Sequence, residues 1–409
     1  MNTGKNVSVD ADGKRLIKGN EAIAEAAIRA GCRFYAGYPI TPQNEITAYM
    51  ASRLPAAGGI FIQAESEVSA INMVYGAAAA GAVAMTSSSS PGVSLKQEGI
   101  SYAAGADLPL VVVNVCRGGP GLGSIAPAQS DYFQSTRGGG HGDYRCIVVA
   151  PKSAQECAGL TTLAFKLTRK WRVPALVLAD GLIGQMMEAV VLPQPEPVHG
   201  GHAAATGADT AADSGTGGTA RGSFQDSAQA WCVGNMHGRE SRHISSLRLE
   251  PAELDALTKS RFERYWRIAE QETRFECVEG AENAAAVCHG GMPAATAADV
   301  VIVAYGSAFR SCLGAMNLAR EAGIQVSIFR PITLWPFPAA QLAAFAGGSP
   351  LLVVEMSRGQ MVEDVKLALF DYGTAEKRPC IHFLGHSGGV IPNEEEICNR
   401  VREIVHQDE

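Results

Sequence analysis

One stretch limits what this chain can fold into more than any other: FIQAESEVSAINMVYGAAAAGAVAMT, residues 61–86. Two carboxylates, Glu65 and Glu67, flank Ser66, and no charged residue follows through Thr86. The pattern predicts a short strand over 61–63, a polar corner at 65–67 and a helix of small and apolar residues. A second strand then runs into Ser87-Ser88-Ser89-Ser90-Pro91-Gly92. Ser66 suits a helix N-cap, and the positive end of a helix favours an anion. That alone would account for a solvated glutamate. A helix without charge, however, is buried on most sides, so a carboxylate at its mouth is expected to face a cleft. Glu67 is the first candidate and Glu65 the second.

The chain has 409 residues, enough for two or three domains. A net charge of −7 argues against a general nucleic-acid binder. The first twenty residues are polar and lack the apolar region of a signal peptide. No apolar run reaches the ~18 residues a membrane span needs, so a cytoplasmic protein with no membrane role is expected. The ten cysteines form no Cys-x-x-Cys pair, which disfavours zinc ribbons and iron–sulfur clusters on this chain.

Residues 1–18 read as a flexible leader. A helix is expected over 21–30 and a strand over 33–36, ending in Gly37-Tyr38-Pro39-Ile40-Thr41-Pro42. Two prolines make that loop rigid. Thr41 is a plausible N-cap and Pro42 a first helical residue for a helix over 43–51. The serine-rich segment at 86–92 is read as a donor-rich loop ahead of a helix over 93–104, fit for an anion or a polar ring. A continuous apolar strand over 108–116 ends in Arg117-Gly118-Gly119-Pro120, where the planar guanidinium could reach a small acid or a structural carboxylate. His141, the first histidine of the chain, lies in Gly138-Gly139-Gly140-His141-Gly142-Asp143. It is a candidate for acid–base chemistry, although a lone histidine is more often structural. A strand over 144–149, a helix over 153–168 and a strand over 174–179 complete a doubly wound α/β domain at 19–192.

Residues 193–297 form a composition break. The part over 193–226, with His199 and His202, is read as a disordered linker, and 251–276 as a charged helical arm. A second α/β unit follows at 298–409. Its strands are expected over 300–305, 325–330, 350–355 and 379–384, and its helices over 308–322, 339–346 and 360–370. Residues 331–338 read as a rigid loop, and Glu355 as a structural partner of Arg330 or Arg358.

A buried carboxylate, a threonine on a rigid loop, a serine loop and an arginine at strand ends together suit thiamine chemistry. There a carboxyl group hydrogen-bonds an aminopyrimidine, and the substrate's carboxylate needs an arginine and a hydroxyl. A non-catalytic α/β module that binds a small acid or organises an assembly fits the same residues.

Several motifs carry a resemblance: GYPITP at 37–42, the corner at 65–67 with its alanine-rich helix, SSPG at 89–92, RGGP at 117–120 and HGD at 141–143. As an ordered set they resemble the α-type subunit of the 2-oxoacid:ferredoxin oxidoreductases, which carries the thiamine pyrimidine-binding domain. RPITLWPFP at 330–338 resembles that family's transketolase-C-terminal-like domain. Within the family the pattern is most similar to the enzymes acting on 3-methyl-2-oxobutanoate; 2-oxoglutarate and pyruvate are the alternatives. The resemblance implies that Glu67 contacts the aminopyrimidine, with Tyr38, Pro39, Ile40, Ser89, Ser90, Pro91 and Gly92 around the cofactor. It implies that Thr41 lies near the 2-oxoacid and that Arg117 binds its carboxylate. His141 falls in a family-like loop without a firm role. Thiamine diphosphate, coenzyme A and ferredoxin are the implied cofactor, co-substrate and electron acceptor.

Thiamine enzymes hold the diphosphate through Mg²⁺ on a Gly-Asp-Gly motif followed by an Asn. Here Ala179-Asp180-Gly181 only imitates it, with no suitable Asn behind it. The implied enzyme is therefore completed by partners. A β subunit brings the diphosphate site, Mg²⁺ and a 4Fe–4S cluster, accompanied by a γ subunit and a ferredoxin-like δ subunit.

Overall fold

Strand β5 (Val111–Cys116) is apolar at nearly every position because helices cover both its faces. Val111, Val113 and Val115 pack with α1 (Gly19–Arg29) and α6 (Ala154–Trp171). Val112 packs with α3 (Glu67–Ala79) and α4 (Ser90–Gly105) on the other side. The computed structural model describes residues 13–196, 230–234, 240–279, 284–289, 291–373 and 379–407.

The first sheet has seven strands. β3 (Ile60–Gln63), β2 (Phe34–Gly37), β4 (Ala84–Ser88), β5, β7 (Ala175–Asp180) and β6 (Ile147–Val149) lie side by side and parallel. β13 (Thr333–Trp335) closes the far edge, antiparallel to β6. A second sheet orders β10 (Ala284–His289), β9 (Arg274–Glu279), β12 (Val326–Pro331), β11 (Val300–Val303), β14 (Leu351–Glu355) and β15 (Ile381–Gly385). β12, β11, β14 and β15 are parallel, while β9 and β10 run against their neighbours. Helices α9 (Gly306–Glu321) and α12 (Glu394–Gln407) cover one face, and α10 (Ala339–Ala346) and α11 (Met361–Tyr372) contribute to the other. The cluster that joins α3, α4 and Val112 continues through Phe275, Val301, Val303 and Phe329, so one apolar core runs through both sheets. The expected α/β architecture, a doubly wound parallel sheet followed by a second α/β unit, is the one found, with antiparallel strands added at the sheet edges.

Several local expectations are corrected. Lys14–Lys18, read as part of a leader, forms β1 and pairs antiparallel with β8 (Met187–Val191). β9 and β10 lie within the stretch read as linker and arm, because Phe275 and Cys277 alternate into the shared core. The charged helix of that stretch is α8 (Pro251–Glu272); it buries Tyr265 and Ile268. Residues 333–335, read as loop, are a strand of the first sheet. Glu355 pairs with neither Arg330 nor Arg358: its carboxylate accepts from the amides of Gln360, Met361 and Val362, the start of α11. Arg330 instead engages Glu156 and Glu276. Most of the expected linker, with His199 and His202, lies outside the described residues. Among the described residues no helix is long and apolar enough to cross a membrane.

Candidate active site

Parallel strands end on one edge, and α/β sheets bind ligands there. β2 leads into the loop at 37–42, β3 into 64–66, β4 into the start of α4, and β5 into 117–123.

Ser66 caps α3, its Oγ accepting from the Ser69 amide at 3.2 Å. Glu67 is the first residue of the helix and is buried, only 6% exposed. Glu65 is exposed, and its carboxylate accepts from the Ser69 hydroxyl, which lowers its pKa. The cleft thus takes Glu67 and leaves Glu65 outside. Gly92 makes room for it. A methyl group there would collide with Ser88 Oγ and lie 2.5 Å from Glu67 Oε1. The hydroxyls of Thr86, Ser88 and Ser89 are buried and have no hydrogen-bond partner among the described residues. Orphaned buried hydroxyls are costly. Beside a buried carboxylate and a missing side chain, they fit the polar edge of a flat ring.

The serine segment is not a loop. Ser88 ends β4, and α4 begins at Ser90, with Pro91 in its first turn. Asn114 Oδ1 accepts from the Ser90 amide at 3.1 Å and so starts the helix before the expected Val93. Ser90 is consumed by structure: its Oγ donates to Asp131 at 2.5 Å and accepts from the Arg117 amide at 3.0 Å.

Thr41 is exposed but does not cap α2 (Asn44–Arg53); Gln43 holds that position. The Gln43 side chain is drawn beneath the loop, accepting from Ser87 Oγ at 2.6 Å and donating to the Tyr38 carbonyl at 3.3 Å. Tyr35 joins this buried network through Ser87 and Thr47. Tyr38 and Pro39 are exposed above it, and Ile40 is half-buried.

Arg117 is buried, and its partners are carbonyls rather than a carboxylate. Nη1 donates to the Thr41 carbonyl at 2.9 Å and Nη2 to that of Leu122 at 3.1 Å, while the buried Nε has no partner among the described residues. The structure therefore brings Glu67, Gly92, Ser89, Arg117 and the Thr41 loop to one edge. It does not bring His141 there. The His141 carbonyl accepts from Ser101 Oγ at 2.8 Å, about 16 Å along α4 from Ser90 at ~1.5 Å per residue.

Two residues escaped the sequence reading. Asn114, the one polar residue inside the apolar β5, also donates to Asp131 at 2.8 Å. Lys96, in the middle of α4, is wholly buried, and its Nζ donates to the Glu67 carbonyl at 3.3 Å. Burial pushes its ammonium down to about 8 against the opposing pull of Glu67. For Asn114 the signal was a polar side chain in an apolar strand; Lys96, followed by Gln97 and Glu98, looks like part of a solvated face. Asp180 is buried and engaged: Oδ1 accepts from the Ile183 amide and Oδ2 from the Ser307 amide, at 3.1 and 2.8 Å.

The family described as "Pyruvate flavodoxin/ferredoxin oxidoreductase, thiamine diP-bdg" matches residues 25–242, and "Pyruvate:ferredoxin oxidoreductase core domain II" matches 298–397. Ketoisovalerate oxidoreductase subunit VorB of Methanothermobacter marburgensis is 41% identical, over 95% of this chain and 97% of its own. 2-Oxoglutarate synthase subunit KorA of Methanothermobacter thermautotrophicus is 34% identical, over 94% and 97%. A solved 2-oxoglutarate:ferredoxin oxidoreductase from Magnetococcus marinus, with 2-oxoglutarate, coenzyme A and succinyl-CoA bound, matches with a TM-score of 0.74 and 27% identity over 96% of this chain. This chain spans 65% of that longer one. A split-gene transketolase, at 13% identity and a TM-score of 0.55 over 95% of this chain and 98% of its own, shares the fold.

Proposed function

Because the chain belongs to the thiamine-dependent 2-oxoacid:ferredoxin oxidoreductase family, we propose that it supplies half of an active site that oxidatively decarboxylates 3-methyl-2-oxobutanoate. The product is the acyl-CoA, and the electrons pass to ferredoxin. The observation that carries this reading is the buried Glu67 carboxylate over Gly92, next to three buried hydroxyls without partners.

That cradle fits the aminopyrimidine of thiamine diphosphate. When bound, the cofactor supplies a nucleophilic carbon and an electron sink. Glu67 holds the ring through a hydrogen bond at its nitrogen and controls the proton there. Ser88 and Ser89 offer hydroxyls to the ring edge. Thr41 and the unpartnered Nε of Arg117 orient the acid and its carboxylate. His141, whose loop is held by Ser101 far along α4, is left outside this reacting set.

The carboxylate of Asp180 is occupied by two backbone amides, and this favours a β subunit as the holder of Mg²⁺ and the diphosphate. The same β subunit, with γ and ferredoxin-like δ subunits, would carry the 4Fe–4S clusters of a cytoplasmic complex. On this reading residues 19–192 are the pyrimidine-binding domain and 298–409 the transketolase-C-terminal-like domain. The choice of 3-methyl-2-oxobutanoate is supported by the 41% identity to a ketoisovalerate oxidoreductase subunit, against 34% and 37% to two 2-oxoglutarate synthase subunits.

The test is an anaerobic assay of the purified complex. It follows coenzyme A-dependent viologen reduction with 3-methyl-2-oxobutanoate, 2-oxoglutarate and pyruvate in parallel, with Glu67→Gln as the control. Preference for the branched acid supports the reading, and preference for another acid replaces the substrate while keeping the mechanism. An unchanged rate in Glu67→Gln removes Glu67 from its role. A chain that recruits no partner would favour a binding module.

A further inference from the structure

Helices α3 and α4 pack through a single pair of ridges. Gly92, Lys96 and Gly99 share one face of α4 by their spacing, and Glu67 and Ile71 share one face of α3. A methyl group on Gly92 would press on the Glu67 carboxylate, and one on Gly99 on the Ile71 side chain. Lys96 therefore lies between these contacts, facing α3. It is wholly buried, and among the described residues its ammonium has one hydrogen-bond partner, the Glu67 carbonyl at 3.3 Å. Glu67 is also the charged group that acts on it electrostatically. A buried ammonium is costly unless an anion compensates it. A methionine would fill the same space without that cost, so the charge itself has a use.

We propose that Lys96 is a positioning residue for Glu67: its ammonium, donating to the Glu67 carbonyl from within the helix interface, holds the first turn of α3 so that the carboxylate stays over Gly92, where it would receive the pyrimidine ring of thiamine diphosphate. This rests on the function proposed above and deepens it. The lysine touches neither cofactor nor substrate. It acts by fixing the residue that carries the carboxylate, through the bond to its carbonyl.

The experiment compares the parent complex with Lys96→Met, Glu67→Gln and the double variant. Thiamine diphosphate binding is measured by calorimetry with Mg²⁺ present. Lys96→Met is expected to weaken binding about tenfold or more, as loss of a buried charge partner does. In the Glu67→Gln background the same change is expected to have an effect of less than about twofold, since its target is gone. Wild-type affinity in Lys96→Met, or an equal loss in both backgrounds, overturns the proposal; the latter would reveal packing alone.

A second readout needs no cofactor and keeps Lys96 in place. The melting temperature of the cofactor-free Glu67→Gln complex should fall below the parent's near neutral pH. The deficit should shrink above about pH 8, where Lys96 loses its proton. A deficit that does not change with pH overturns the proposal, and this series decides the matter if Lys96→Met fails to assemble. An assembled parent complex that takes up no thiamine diphosphate defeats the proposed function instead, and the melting series still decides the pairing.

Discussion

The Arg117 guanidinium donates to the Thr41 carbonyl at 2.9 Å, so the tip of β5 holds the loop that follows β2. Its other Nη grips Leu122 at 3.1 Å. One planar fork thus sets the spacing between two loops that would flank a substrate. A lysine has neither the fork nor the reach for both. Arg117→Lys should leave assembly intact and lower kcat/KM for the 2-oxoacid about ten- to hundredfold, as expected for lost hydrogen bonds to a charged group. Steady-state viologen reduction measures this.

Gly92→Ala should act on cofactor and stability together. Its methyl would collide with Ser88 Oγ and the Glu67 carboxylate. A cost of about 1–3 kcal/mol follows from overpacking, with a weakened uptake of thiamine diphosphate. Gly76→Ala is the contrast: a methyl group there meets no atom within 4 Å, on an exposed face of α3. It should stabilise the chain by roughly 0.5–1 kcal/mol. Denaturant midpoints and calorimetry separate the two.

The acid limb of stability should trace to Glu276. Burial pushes its carboxyl up, but the Arg330 guanidinium and the Lys152 ammonium outweigh burial and hold it below the usual range. Arg330 Nε lies 2.5 Å from its carboxylate. A group depressed in the folded state stabilises above its unfolded pKa, and that stability is lost as pH falls through the folded value. Glu276→Gln should cost about 1–3 kcal/mol at neutral pH, since it removes one of the two carboxylates on the fully buried Arg330 and leaves the Glu156 pair. Its deficit should begin to narrow below about pH 4, where the unfolded chain's carboxyl takes up its proton first, and close as pH falls through the lower folded value. Denaturation at neutral and acid pH measures the gap.

Asp180 joins the two sheets through the Ser307 amide, and burial raises its pKa. Asp180→Asn should therefore lower stability by about 1–3 kcal/mol, the cost of an imperfectly satisfied buried amide. The Mg²⁺ concentration needed for thiamine diphosphate binding should stay unchanged. A shifted Mg²⁺ requirement would assign the metal to this chain.

The legible part of the site was its edge. The glycine, proline and serine punctuation placed Thr41, Glu67, Ser89, Gly92 and Arg117 at strand ends, and parallel strands put those ends together. The choice between Glu65 and Glu67 was also readable, because only a helix without charge has a dry mouth. The setting of His141 was not legible: its glycine-rich loop looks free, but the Gly139 amide is held by Gln97 and the His141 carbonyl by Ser101. Side chains on α4 hold the loop there, and spacing along the chain carries no trace of that.

By itself the sequence determined most of the parallel strands and the helices between them, down to the helix over 339–346, because apolar period and capping are properties of a short window; β1, β8, β9, β10 and β13 escaped it. It also determined that the strands would be buried on both faces and would open on a polar edge. Only the tertiary structure decided which charges meet. Lys96 reaches the Glu67 carbonyl 29 positions away because two helices pack side by side. Arg330 takes Glu156 174 positions away, while Glu355, which looked like its partner, turns to the start of α11. Thr333–Trp335 leaves its own sheet for the first one. These pairings depend on the depth at which each side chain is desolvated, and that depth exists only once the sheets and helices are assembled.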